Sequence, residues 1–290
     1  MLSLLRSSAP VRGELLFGCI LVLGIAGCGA DQYESRLKQS SEYYKYLAMV
    51  EQNLAPKWSD GVAVEMMRVP KQFYTVLAPT PVKNDDGGDA LPAVDPRQPD
   101  YLNLIFPNDI LFGAWEAPVS VDGVDGSADA RKAYIYVLSN YWMFTREDPA
   151  EALTFTNVMV QLVGDALEEH IPTEKLEKPD TELHPNPSTA TGKYLVGTSY
   201  DVYAFRPKAI TQRSAERETT VNYSFTMYAK TNGNIKAVVL VVQPVSTPPQ
   251  EKLLERIPLM LDYFHITKNE PKPSQAQGGG AAATPPTSGF

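Results

Sequence analysis

Between Val221 and Val242 the chain spells out a β-hairpin. Val221, Tyr223, Phe225 and Met227 alternate with Asn222, Ser224, Thr226 and Tyr228, the period of two that sends every second side chain to the same face of a strand. Asn232-Gly233 follows, the pair best suited to a two-residue turn between right-twisted strands. Ile235 to Val242 is then apolar at nearly every position, and a strand that is apolar on both sides is covered on both sides. The second strand is therefore expected inside a sheet, and the first nearer an edge or on a half-covered face. Phe225 and Val239 are expected to share one core with the chain's last helix.

The remaining elements follow from the same kind of patterning. Tyr33, Leu37, Tyr44, Leu47 and Leu54 recur near the helical period between about Asp31 and Leu54. That face is expected to pack on the sheet; Tyr43 and Tyr46 raise the alternative of an aromatic patch for glycans or a partner. A short strand-like run, Val62 to Val69, ends at Pro70. From Pro79 to Asp109 the composition is Pro, Asp and Gly, which reads as one loop of about thirty residues, a length usually reserved for function or disorder. Two strands are expected at about Ile110 to Val121 and Tyr134 to Phe144, the second rich in aromatics. Asp148, Pro149 and Glu151 make a capping box for a helix with an apolar face from Leu153 to Leu167, ending before Pro172. Thr173 to Thr191 reads as a polar linker and Lys193 to Phe205 as a strand. Thr247 and Gln250 form a second capping box for a helix bearing Leu253, Leu254, Ile257, Leu261 and Phe264, with Pro258 inside it. Helix, strands, helix, strands, helix describes an α+β fold, an antiparallel sheet covered by helices.

The hairpin, the valine-rich strand and a last helix ending Leu261-Asp262-Tyr263-Phe264-His265-Ile266 resemble the C-terminal half of the Mog1/PsbP-like fold, an α/β/α sandwich. The resemblance is one of pattern over roughly 80 residues. It implies an accessory or assembly protein and carries over no functional residues.

At the other end, Arg6 and Arg12 precede an apolar run from Leu15 to Gly27. A positive segment, a short apolar segment and small residues before a cleavage point are the marks of an export signal. The run is about 13 residues, short of the roughly 20 that span a bilayer. It ends Ile25-Ala26-Gly27-Cys28, which resembles the lipobox of bacterial lipoproteins. The resemblance implies cleavage between Gly27 and Cys28, a diacylglycerol on the Cys28 thiol, and a mature chain tethered to the membrane by lipid. Gly29, in place of an inner-membrane-retaining aspartate, implies a periplasm-facing protein of the outer membrane. Residues 1–27 are thus expected to be a signal peptide, 28–266 a single α+β domain, and 267–290, rich in Gly, Pro, Ala, Thr and Ser, a low-complexity tail with too little apolar surface to fold. Cys19 lies within the signal and Cys28 is the chain's only other cysteine. After processing the domain is held by its core rather than by a disulfide.

The formal net charge is −8, and loss of residues 1–27 removes two arginines and one glutamate, leaving the mature chain more acidic. No run of Lys and Arg supplies the footprint that nucleic acid requires, so none is expected as a partner. Three scattered histidines give no His-Glu-x-x-His spacing. Gly197-Thr198-Ser199-Tyr200 lacks the second glycine of a nucleophile elbow, and Ser35-Arg36-Leu37-Lys38 lacks the companion motifs of the penicillin-binding proteins. Asp122, Asp125 and Asp129 are the one candidate set for a metal, calcium, because clustered carboxylates suit a hard cation. The spacing is not that of an EF-hand, and the Asp-Gly pairs serve equally as a hairpin tip. No catalytic residue and no cofactor are assigned. The expected role is a non-enzymatic binding, accessory or assembly module with a protein partner in the cell envelope. The alternative is a hydrolase of envelope polymers whose Asp, Glu and Tyr residues meet only in the fold.

Overall fold

The computed structural model describes residues 14–83, 89–90, 95–122, 128–146, 149–185, 197–213 and 218–271. Its elements, in order, are α1 (Glu14–Asn53), β1 (Val64–Met66), β2 (Tyr74–Thr75), β3 (Val82–Lys83), β4 (Asp89–Ala90), β5 (Leu111–Asp122), β6 (Ala128–Ser139), α2 (Ala150–Leu153), α3 (Phe155–Ala166), α4 (Thr173–Glu177), β7 (Asp180–His184), β8 (Thr198–Ala204), β9 (Lys208–Arg213), β10 (Glu218–Asn232), β11 (Ile235–Pro244), α5 (Leu253–Asp262) and β12 (His265–Ile266). The chain divides into two compact units, Met1–Met49 and Val50–Phe290. Among the described residues, the first consists of α1 up to Met49. Among the described residues, no helix is long and apolar enough to cross a membrane.

The second unit is an α+β fold built on an antiparallel sheet of order β2-β5-β6-β11-β10-β8-β7, with β9 also on β10. The hairpin read from the sequence is its centre. Asn232 pairs with Ile235 across the turn, Gly233 takes the left-handed φ of 64° that the turn needs, and the register runs without a break to Tyr223 opposite Pro244. β11 lies between β10 and β6 and is buried at eight of its ten positions, which is why nearly every residue in it is apolar. β10 is not an edge strand. β8 pairs with its second half and β9 with its first, along the side away from β11.

The hairpin serves two cores. One face of the sheet carries Tyr134, Tyr136, Leu138, Phe225, Met227, Val238, Leu240 and Val242, packed with Phe155, Met159, Val160 and Val163 of α3. Residues of the opposite parity, Trp115, Ile135, Val137, Val239 and Val241, are equally buried, so by the alternation of a strand they face the other way. On that side lies α5: the Tyr200 hydroxyl donates to the Leu261 carbonyl (2.6 Å) and Lys230 Nζ to that of Phe264. Phe225 and Val239 therefore belong to separate cores, and the last helix covers only the second.

Several other expectations are corrected. β6 starts at Ala128, and Tyr141, Trp142 and Phe144 sit in a 3-10 turn (Tyr141–Thr145) rather than in a strand. The helix expected from Asp148 to Ile171 is broken at Thr154 into α2 and α3 and ends at Ala166, where Glu168 turns the chain with φ 57°. Leu153 consequently points to solvent. The expected linker contains α4 and β7. The span 79–109 contains the β3–β4 pair and a 3-10 turn at Asp100–Leu102. Thr247 caps no helix; its hydroxyl donates to the Pro244 carbonyl (2.6 Å), and α5 starts after Lys252 in the left-handed region. Leu254 is exposed.

Two local devices finish the sheet. β2 covers β5 only at Trp115 and Glu116. Beyond it, Pro118 has no amide to offer and the Ser120 N–H donates to Glu251 Oε1 (3.0 Å), so that edge is closed to another strand. A second small sheet pairs β1 with β12, Val64 opposite Ile266. Asp60 accepts the N–H groups of Val62 (3.0 Å) and Val64 (2.8 Å) and shapes the entry to β1. Burial pushes its carboxyl up, against the pull of these bonds.

Candidate functional site

Among the described residues, three places that bring together groups capable of chemistry or binding stand out. The first is the interior seam between the sheet and α5. His184, at the end of β7, is buried; its Nε2 lies 3.1 Å from Glu182 Oε2 and its Nδ1 3.9 Å from Asp262 Oδ1, with the Tyr200 ring edge-on at 5.7 Å. Lys230 Nζ sits 5.6 Å from the centre of the Tyr200 ring and 5.9 Å from that of Phe264. Burial pushes its ammonium down to about 8, with Glu65 pulling the other way. Burial also raises the Tyr200 hydroxyl, and that of Tyr228 to about 12. Enzymes use such combinations, but Lys230 and His184 are each only 8% exposed and line neither groove described below. Their contacts fasten β7, β8 and β10 to α5. The geometry is that of a structural seam.

The second place is an open groove of about 680 Å³ where the end of α3 meets the break between β8 and β9. Pro207 separates those strands. Glu168 and Glu169 reach into this region, and both are engaged: Lys208 Nζ lies 3.1 Å from Glu168 Oε1, and the Arg206 N–H donates to Glu169 Oε2 at 2.7 Å. Lys208 also bonds the Ala166 carbonyl at 3.3 Å. The groove's charges largely neutralise one another.

The third is a groove of about 470 Å³ at the foot of α1, within the second unit, lined by Lys57, Arg68 and Lys71 above Met66, Leu54 and Tyr263. Glu51 is its one carboxylate; it pairs with Arg68 Nη1 at 2.7 Å. That pairing lowers the Glu51 carboxyl and raises the Arg68 guanidinium. Arg68 Nε donates to the Ala55 carbonyl (2.8 Å), and its guanidinium lies 5.8 Å from the Tyr263 ring centre. The sequence shows no run of basic residues, yet the turn at Pro70 and the strand β1 bring three cations to one opening. Nothing in their spacing, 57, 68 and 71, would single them out.

The first unit adds a surface of another kind. Tyr33, Leu37 and Tyr44 of α1, expected to pack on the sheet, are 65%, 52% and 69% exposed, while Leu54, where α1 has ended, is fully buried. Near-helical spacing places the three on one stripe.

Of the residues singled out from sequence, Cys28 and Gly27 lie in α1 at positions whose side chains fall outside the described residues. The same holds for Asp122 and Asp129, while Asp125 is outside them altogether; β5 and β6 flank this tip as a hairpin. The tail from 272 onward also lies outside the described residues. Among the described residues, no group of three or more His, Cys, Asp or Glu side chains is placed to hold a metal ion. No family model, no curated protein and no solved structure matches this chain.

Proposed function

We propose that this chain is a lipid-anchored protein of a bacterial cell envelope, tethered through Cys28 and facing the periplasm from the outer membrane, that works as a non-enzymatic binding or assembly module. The observation that carries the reading is the bare stripe of Tyr33, Leu37 and Tyr44. These large side chains occupy one line of the helix that follows the expected anchor, and exposed aromatic and apolar side chains aligned in that way suit a partner's apolar surface. The openings of the second unit agree with it. Glu168 and Glu169, the carboxylates of the larger groove, are each held by a basic side chain or an amide, an arrangement suited to recognition rather than to the paired acid and base a hydrolase of envelope polymers would need.

Two arms test the proposal in cells. Labelled fatty acid should enter the wild-type chain and not Cys28→Ala, which should accumulate at precursor mass; a wild-type N-terminus that begins elsewhere and carries no lipid removes the anchor. A photo-crosslinking residue at position 37 should give a discrete adduct, and one at Leu254, a still more exposed apolar residue, should not. Equal labelling at both positions, or none at 37, removes the binding role.

A further inference from the structure

We infer that the groove at the foot of α1 is a binding site for a phosphate group carried on an apolar stem, recognised by Lys57, Lys71 and Arg68. The case rests on which donors remain unused. Arg68 spends Nε on the Ala55 carbonyl and Nη1 on Glu51, which leaves Nη2 without a partner among the described residues. The ammonium groups of Lys57 and Lys71 make no hydrogen bond or ion pair among the described residues, and both side chains are exposed. Three cationic donors against one carboxylate therefore share a single opening on a protein whose net charge is −8. Arg256 adds a further cation held by Asn53 and Gln72, the neighbours in sequence of Leu54 and Lys71. Its Nε donates to Asn53 Oδ1 (3.2 Å) and its Nη1 to Gln72 Oε1, both uncharged partners.

The end of α1 offers a competing use for these cations, because helix C-termini attract positive charge. Part of that demand is met by other groups. The Asn53 carbonyl accepts the Lys71 N–H (3.0 Å) and the Val50 carbonyl that of Leu54 (2.8 Å), while Arg68 takes the Ala55 carbonyl. The two lysine side chains are left over. Point charges on flexible stems beside a planar guanidinium edge suit the several oxygens of a phosphate. The floor of Met66, Leu54 and the Tyr263 ring suits the apolar part attached to it. The chemistry is that of a phospholipid headgroup with the start of its chains, or of a free phosphate ester.

The inference goes beyond the proposed envelope role and depends on it only for where such a ligand would be met. Its test uses the full chain in neutral detergent, with dihexanoyl phosphatidic acid, dihexanoyl phosphatidylcholine and inorganic phosphate as probes in calorimetry. Lipidation of Cys28 is read separately by mass, so the two ideas fail independently. Phosphatidic acid should bind and phosphatidylcholine should bind far more weakly. Each lysine near an anionic headgroup contributes about fivefold, so K57A/K71A should weaken binding about 25-fold. K132A, whose ammonium pairs with Glu116 on β5, should not change it. Inorganic phosphate bound as tightly as the lipid, with the same loss in the double variant, supports the phosphate site and assigns it to soluble esters. Binding that survives K57A/K71A, or no binding of either phosphate probe, overturns the inference.

Discussion

Opposite placement of Phe225 and Val239 on the sheet can be tested as an energy of interaction. Phe225 pairs across the ladder with Val242, on the α3 side; Val239 pairs with Tyr228 and faces α5. Val242 and Val239 stand three positions apart on β11, roughly 10 Å at about 3.4 Å per residue, and the sheet lies between the two side chains. Truncating Val239 to Ala removes two buried carbons, about 1.6 kcal/mol of transfer at ~0.8 per carbon, and about 2 with the cavity. Phe225→Ala would cost about 3 to 5 kcal/mol, enough to consume much of a domain's typical 5 to 15, so the milder Phe225→Leu is the better partner in a double-mutant cycle. Phe225→Leu with Val239→Ala should be additive to within about 0.5 kcal/mol, whereas Phe225→Leu with Val242→Ala, in contact on one face, should couple by about 0.5 to 3. Urea unfolding followed by tryptophan fluorescence reads the wild type and all five variants. A coupling for Val239 as large as that for Val242 would refute the two-core description and restore a single core.

Lys230 gives a signature in pH. Its ammonium is pushed down to about 8 by burial, while an unfolded lysine titrates near 10.4, so between these values the unfolded chain holds more protons and stability must rise with pH. From pH 7.5 to 9.0, where unfolded tyrosines are still mostly protonated, the wild type should gain about 1 kcal/mol relative to Lys230→Met in urea melts; the same pH dependence in the variant would sink the assignment. Gly113 stands where β5 shifts register, and a Cβ there would fall 2.7 Å from Trp115 Cζ3 and 3.2 Å from Trp58 Cη2. Gly113→Ala should therefore lose about 1 to 3 kcal/mol and disturb the edge-to-face Trp58–Trp115 pair in near-ultraviolet dichroism; an unchanged melt and spectrum would show that the bulge yields freely.

What the sequence made legible was whatever a local period writes. The hairpin at Asn232-Gly233 could be read to the residue because turn chemistry and alternation agree there. The central place of β11 followed from its nearly unbroken apolar run. The partition of that run between two cores was not legible, since a strand buried on both faces shows no alternation to say which side meets which helix. Thr154 and Thr247 mark a different failure. A helix period continues through Leu153 and Phe155, and a capping box stands at Thr247, but packing breaks the first helix, and the Pro244 carbonyl claims the Thr247 hydroxyl instead. The basic groove was invisible for a third reason: Lys57 and Lys71 are brought together by the turn at Pro70, and neither belongs to any periodic pattern. α1 reversed part of an expectation, since Tyr33, Leu37 and Tyr44 are exposed while Tyr46, Val50 and Leu54 are buried, and a helical period does not say how far along a helix its apolar face is covered.

The pairing of Val64 with Ile266 governs the order in which such a chain can complete itself. About 200 residues lie between these two positions, and contacts of such range form late, because the loop must be closed before any reward is collected. The central strands and α3 can assemble as they are synthesised, but β1 must wait for the last strand to arrive. Until then Val64 and the α5-facing side of the sheet stay uncovered, and the nascent protein has a sticky flank for as long as its C-terminal end is withheld. A chain stalled short of Ile266 would be the form most exposed to aggregation and to proteases.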